Sequence, residues 1–387
     1  MPLDEVFLEE MKIMALSTTL ERLASPWERL AQENPFVGFL DTLLRGTGQV
    51  MFQNNPLTGL LILIGIFVNS ALFGIAGVLG LIVSTLTAVL LKADRNLIRA
   101  GLFGYNGILT GIGLAFFLRW NGTLVIYILI GAILSTIIMM ALANMLGMRD
   151  MPALTAPFVL TTWLLLFAVF QFAYLLPAAS ILPAPLDPNV TVQTALRPLP
   201  TSVTGAGVTL PNLLQAFFRG IGEVFFQDNL VTGLFFLIGI LVNSRISALL
   251  AALGSIVGMF SALYLFGGNG YWVYHGLYGF NAVLCAIAVG GLFFVLTWQS
   301  ALYALFCALI ATIVMATISV FLSPLGMPAL TAPFVLTAWL FIAVKAGFRA
   351  LRPVSVADVT TAEQIRRTFL EKEHAGVGVR GTPQPAS

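Results

Sequence analysis

A chain of 387 residues that is 58% hydrophobic and 9% charged, with a mean hydropathy of +0.95, has too little polar surface to cover a water-soluble globule of its size. It reads as an all-α polytopic membrane protein, and its net charge of +2, spread over termini and loops, leaves no basic face for nucleic acid. Cys285 and Cys307 lie in apolar runs with no His or Cys at metal-ligand spacing, so they read as packing residues, and neither a metal nor another cofactor is expected.

Residues 1–35 open the chain as a cytoplasmic or interfacial segment. Their acids, from Asp4 to Glu33, outnumber Lys12, Arg22 and Arg29, so no basic region precedes an apolar one as in a signal peptide. The stretch FLEEMKIMALSTTLERLA has apolar residues near helical spacing and predicts an amphipathic helix. The first hydrophobic half, 36–174, predicts helical segments at about 36–53, 57–72, 74–92, 97–118, 121–146 and 152–174. With about 20 residues needed per crossing, each half holds about five crossings plus one re-entrant or broken helix, for which the Gly-rich segment 97–118 is the candidate. Residues 175–211, rich in Pro, Thr and Ser, form a linker expected outside the cell; 212–349 is the second half, and 350–387 is expected to be a disordered tail.

The halves are copies. MPALTAPFVLTTWL at 151–164 returns as MPALTAPFVLTAWL at 327–340 with thirteen of fourteen positions identical. The stretch 45–70 matches 219–244 in 17 of 26 positions, and GLFGYNG at 101–107 matches GLYGFNA at 276–282. A repeat of this size is half of a transporter-like fold, not a solenoid unit. An odd number of crossings would set the halves in opposite orientations. Lys92, Arg95 and Arg99 in one connection, against no Lys or Arg in its counterpart at 266–275, fit that inversion; Lys345, Arg349 and Arg352 after the last span place both termini in the cytoplasm.

Polar residues inside spans are costly and mark cavities or partners. Glu223 stands one turn from Arg219, with which it could simply pair, but its counterpart Gln49 keeps the acceptor oxygen without the charge. Both are therefore expected to face a pore. In the duplicated motif Pro152 is expected to start a helix and Pro157 to break it around Thr155; Pro328, Thr331 and Pro333 repeat the arrangement, so that Thr155 and Thr331 meet near mid-membrane.

An LPxxTxPF motif once per half, with a Q/E-V-x-F-x-N-N segment (Gln49 to Asn55, Glu223 to Asn229) and a G-x-x-G-Y/F-N segment, resembles the urea transporters over roughly residues 36–345. The departures are Met151 and Met327 for the leading Leu, Asp228 for the first Asn and Phe280 for Tyr. The resemblance implies a homotrimer in the inner or plasma membrane, each protomer holding its own channel-like pore for passive urea permeation between inverted halves. It implies flat apolar slots formed by Phe52 with Leu109 and by Phe226 with Leu284. Oxygen acceptors from Gln49 and Glu223 would lie near the slots, Thr155 and Thr331 at the constriction between them, and Val50 and Val224 beside the filter. Urea is the implied solute, with small amides as its neighbours. A proton-coupled transporter working through Glu223 is the alternative, with an ammonium-type channel behind it; the single His within the halves, His275, falls in a polar loop, and no enzyme-like nucleophile or metal cluster stands out.

Overall fold

The computed structural model describes residues 26–178, 209–268, 270–345 and 347–374. The amphipathic stretch expected near the N-terminus and most of the 175–211 linker lie outside them.

The described residues are helical, with two isolated β-bridges. After a short helix α1 (26–33) come α2 (Pro35–Gln49), α3 (Pro56–Asn69), α4 (Ala71–Leu90), α5 (Arg95–Arg99), α6 (Gly104–Phe117), α7 (Gly122–Gly147) and α8 (Ala156–Val169). The second half supplies α9 (Leu210–Gly222), α10 (Leu230–Asn243), α11 (Arg245–Phe260), α12 (Gly270–Tyr274), α13 (Phe280–Ile287), α14 (Trp298–Leu322) and α15 (Ala332–Ala343). Side-chain caps set the starts at equivalent places: the Asn55 and Asn229 oxygens accept the first free amides of α3 and α10, and Ser70 and Ser244 do the same for α4 and α11.

Among the described residues four helices are each long and apolar enough to cross a membrane, Ala71–Leu90, Gly122–Gly147, Arg245–Leu265 and Trp298–Leu325, and a bent pair, Leu210–Phe225 with Leu230–Asn243, makes a fifth if it counts as one span. The others are shorter. α3, α6 and α8 have 14 residues each, so at 1.5 Å per residue they reach only about 21 Å of a roughly 30 Å core. The long segment expected at 97–118 is two helices, α5 and α6, parted at 100–103. There Gly101 has φ +76°, and a Cβ would stand 2.2 Å from the Gly46 nitrogen. The break expected between 36–53 and 57–72 has its counterpart in the second half, where Leu210–Phe225 and Leu230–Asn243 meet at 73°.

The spanning helices are apolar all round, but their faces differ in size. On α7 the exposed face carries Ile126, Ile130, Ile133 and Ile137, while Gly131, Ala132, Ser135 and Thr136 are buried. Over residues 130–137 small residues face the protein and branched aliphatics face outward, the pattern of helices packed in lipid. The α4–α6 contact is of this kind: a Cβ on Gly80 would lie 2.2 Å from the Gly107 carbonyl, and one on Gly111 2.2 Å from that of Ala76.

The tail departs from expectation. Residues 350–374 are not disordered: a turn at Val356–Asp358 precedes α16 (Ala362–His374), and Glu363 accepts from Ser244 Oγ (2.7 Å) and the Ile246 amide (2.8 Å) at the start of α11. Ala362 and Ile365 bury against the protein, enough to hold a helix whose composition alone looks solvated. Residues 375–387 lie outside the described ones.

Candidate permeation site

Many contacts between the halves occur in pairs with the roles exchanged. Thr58 Oγ1 donates to the Gly239 carbonyl (2.6 Å), and Thr232 Oγ1 to that of Gly65 (2.8 Å). Asn69 Nδ2 donates to Gln227 Oε1 and Asn243 Nδ2 to Gln53 Oε1, both at 2.8 Å. Trp163 Nε1 reaches the Pro328 carbonyl, and Trp339 Nε1 that of Pro152, again at 2.8 Å. The equivalent residues Thr155 and Thr331 meet each other, their hydroxyls 2.7 Å apart and both side chains buried.

Why those hydroxyls are free to meet follows from the local fold. Contrary to the reading of a Pro-broken helix, residues 151–155 are not helical: Thr155 is the cap residue and Pro157 lies in the first turn of α8, where its missing amide costs nothing. α15 begins identically at Thr331 and Pro333. Neither Thr side chain caps its own helix. The orphan amides are met from elsewhere, since Asn106 Oδ1 accepts from Phe158 N (3.2 Å) and Asn281 Oδ1 from Phe334 N (3.1 Å). Two asparagines of the G-x-x-G-Y/F-N segments thus take over the capping, which releases each threonine for the other.

Phe52 and Phe226 share a second peculiarity. α2 ends at Gln49, Phe52 N donates back to the Gln49 carbonyl, and Phe52 has φ +61°; Phe226 repeats this on Glu223 with φ +60°. A left-handed residue after a helix is ordinarily glycine, and a side chain there costs about 1–2 kcal/mol. Of six non-glycine residues with positive φ among those described, four belong to the duplicated segments: Phe52, Phe226, Leu154 and Leu330. Strain so concentrated marks a site where side-chain placement outranks backbone comfort. The next residue fixes the turn: Gln53 Nε2 donates to the Met51 carbonyl (2.6 Å), Gln227 Nε2 to that of Phe225 (2.5 Å).

Each ring is walled by the other half. Phe52 meets Phe334 edge-on at 6.0 Å and Phe293 at 6.2 Å; Phe226 meets Phe158 at 6.0 Å and Phe117 at 5.7 Å, with Phe116 tilted at 5.4 Å. Leu109 and Leu284 are fully buried one turn beyond Asn106 and Asn281, and Val50 and Val224 are buried beside the two turns.

The acceptor positions are not equivalent in their bonding. Gln49 donates its amide to the Ala100 carbonyl (2.9 Å), which leaves Oε1 as an acceptor. Glu223 is half-buried at the end of α9 and does not pair with Arg219. Arg219 Nε instead lies 3.2 Å from Asp228 Oδ1, outside hydrogen-bond geometry, with the guanidinium 4.3 Å over the Tyr274 ring; the simple i, i+4 pair is therefore absent. His275 Nδ1 binds the other Asp228 oxygen. In the first half Arg45 bonds Asp41 (2.6 Å) and Asn54 Oδ1 (3.0 Å), beside a polar cavity of about 400 Å³ that Ala100 also lines.

The residues missed in the sequence were Asn106 and Asn281 as caps, Gln53 with Asn243 and Gln227 with Asn69 as tethers, and the aromatic walls. All except Phe116, Phe117 and Phe293 sit in the duplicated strings, which was the available signal.

A profile of the urea transporter family matches residues 40–346. The chain is 35% identical to urea transporter 1 of Ovis aries over 337 residues, covering 86% of this chain and 84% of that protein. It is 33% identical to urea transporter 1 of Rattus norvegicus over 338 residues, 87% of this chain and 84% of the relative.

Proposed function

The chain belongs to the urea transporter family, transporters rather than enzymes, and it passes urea through a membrane by passive permeation; we propose that the path runs between the two halves, past the Thr155–Thr331 contact. The halves insert with opposite orientation, each with about five crossings and one incomplete helix, and both termini face the cytoplasm of a cell whose inner or plasma membrane holds the protein. The exchanged hydrogen bonds support this, because a two-fold relation between copies repeats every contact with its partners swapped. By family likeness the protein is a homotrimer in which each protomer has its own path.

Urea is flat and neutral, with four N–H donors and one acceptor in its plane. Phe52 and Phe226, each walled by rings of the other half, together with the buried Leu109 and Leu284, line two apolar slots that press on its faces. Gln49 Oε1 and the Glu223 carboxylate supply acceptors at their edges, with Val50 and Val224 beside them. Edge acceptors replace the water that urea sheds at little net cost, while a hydrated ion entering the slot would lose far more. Thr155 and Thr331 form the narrow point between the slots. Sites of this strength let the solute enter and leave, as conduction requires. The observation that carries the reading is the buried Thr155–Thr331 hydrogen bond, the convergence of the duplicated motif on itself.

The freedom of Glu223 from an Arg219 pair favours a second reading, coupling to protons. Uptake of labelled urea into proteoliposomes, with and without a pH gradient, decides between them. Equilibration to the external concentration in both cases is expected, and accumulation above it would overturn the passive path. Formamide, acetamide and thiourea in parallel define how far small amides share it.

A further inference from the structure

We propose that the C-terminal segment, 352–374, is a strap that positions the Phe52 slot, with Glu363 as its key positioning residue; this rests on the reading of Phe52 as a slot wall. Two routes lead from the strap to that ring. Along the first, Phe294 and Pro353 form an antiparallel bridge in which Val295 N donates to the Arg352 carbonyl (2.9 Å) and Val354 N to that of Phe293 (3.0 Å). Phe293, whose backbone is thereby held, presents its ring edge-on to Phe52 at 6.2 Å. Two residues earlier, a Cβ on Gly291 would lie 2.8 Å from Ala362 Cβ, so the first turn of α16 rests on the backbone that carries Phe293.

The second route uses charge. The Glu363 carboxylate accepts from Ser244 Oγ and Ile246 N at the start of the 16-residue α11, where free amides and the helix dipole favour an anion. Ser244 follows Asn243, whose amide holds Gln53 Oε1 at 2.8 Å, and Gln53 follows Phe52. The strap therefore grips the neighbours of the ring from both sides. Because Phe52 sits in a strained left-handed turn, its ring is held in place by such outside contacts and not by local preference.

The test compares full-length proteins in liposomes by the ratio of urea to thiourea flux, measured on the same vesicles so that the folded fraction cancels. Glu363→Ala is expected to lower the ratio about tenfold, the low end of what one displaced apolar contact is worth in discrimination. Glu363→Gln, which keeps one acceptor oxygen but loses the charge and the second acceptor, should fall between the parent and Glu363→Ala. Phe52→Ala serves as the reference for the slot itself. A parental ratio in Glu363→Ala, with a changed ratio in Phe52→Ala, overturns the strap; an unchanged ratio in Phe52→Ala overturns the slot reading beneath it. Should Glu363→Ala yield no folded protein, Ile365→Ala, which trims the buried anchor of α16 and leaves Glu363 in place, decides by the same ratio.

Discussion

The Thr155 and Thr331 hydroxyls, 176 residues apart in sequence, share one hydrogen bond of 2.7 Å in a buried place where neither caps its own helix. Removing either one leaves the other without its partner. Thr155→Val and Thr331→Val should each cost about 1–3 kcal/mol, and the double variant less than the sum, because two apolar groups of that shape leave nothing unpaired. Thermal unfolding of the purified protein in detergent reads this. Additive costs would show that the two hydroxyls are not energetically coupled.

Phe52 separates strain from packing. Phe52→Gly and Phe52→Ala both remove the ring, but Gly accepts φ +61° without penalty, so Phe52→Gly should be the more stable of the two by about 1 kcal/mol. Urea selectivity should be lost in both. Unfolding curves with Ala the more stable would mean that the turn relaxes in the variants.

At Glu223 the question is charge against acceptor. Glu223→Gln reproduces what the first half has at Gln49 and should retain most urea flux, whereas Glu223→Ala should lose about tenfold, the worth of one good hydrogen bond. Stopped-flow shrinkage of proteoliposomes measures both. Equal, parental flux in the two would remove Glu223 from the path.

Asp150 fastens the other end of the strap, accepting from Lys345 Nζ (2.8 Å), Ser355 Oγ (3.0 Å) and Val356 N (2.8 Å). Burial pushes its carboxyl up, but the bonds from Lys345, Val356 and Ser355 outweigh that and hold it below the usual carboxylate range. A lowered folded value means that ionised Asp150 stabilises the strap fully above the ordinary carboxylate pKa, near 4, and that this is lost as pH falls through the lowered value. The hydrogen-exchange protection of residues 347–374, taken relative to the intrinsic rate at each pH, should therefore fall on acidification below about pH 4. Asp150→Asn should start fast and lose that acid dependence; a variant with the parental profile would assign the change to another group.

Much of the site was legible because duplication writes the same string twice. Thr155 with Thr331, Gln49 with Glu223 and Phe52 with Phe226 are paired in the sequence before any fold is known. What surrounds them was not. Phe293 and Phe334 reach Phe52 from more than 200 residues away, and such contacts leave no period in the chain. Pro157 was misread for a different reason: a proline both breaks a helix and starts one, and only the capping by Asn106, brought from another helix, tells which. In α16 a polar composition masked a sparse apolar row at Ala362, Ile365 and Phe369, which is enough because Glu363 adds two hydrogen bonds.

The exchange of walls between the halves sets the smallest unit that can work. Phe52 is bounded by Phe293 and Phe334, Phe226 by Phe117 and Phe158, and Gln53 and Gln227 are each tethered by an asparagine of the opposite copy. A lone repeat would hold neither ring in place. Completeness here belongs to the pair, and fusing both copies in one gene guarantees that they are made in equal number and find each other at once.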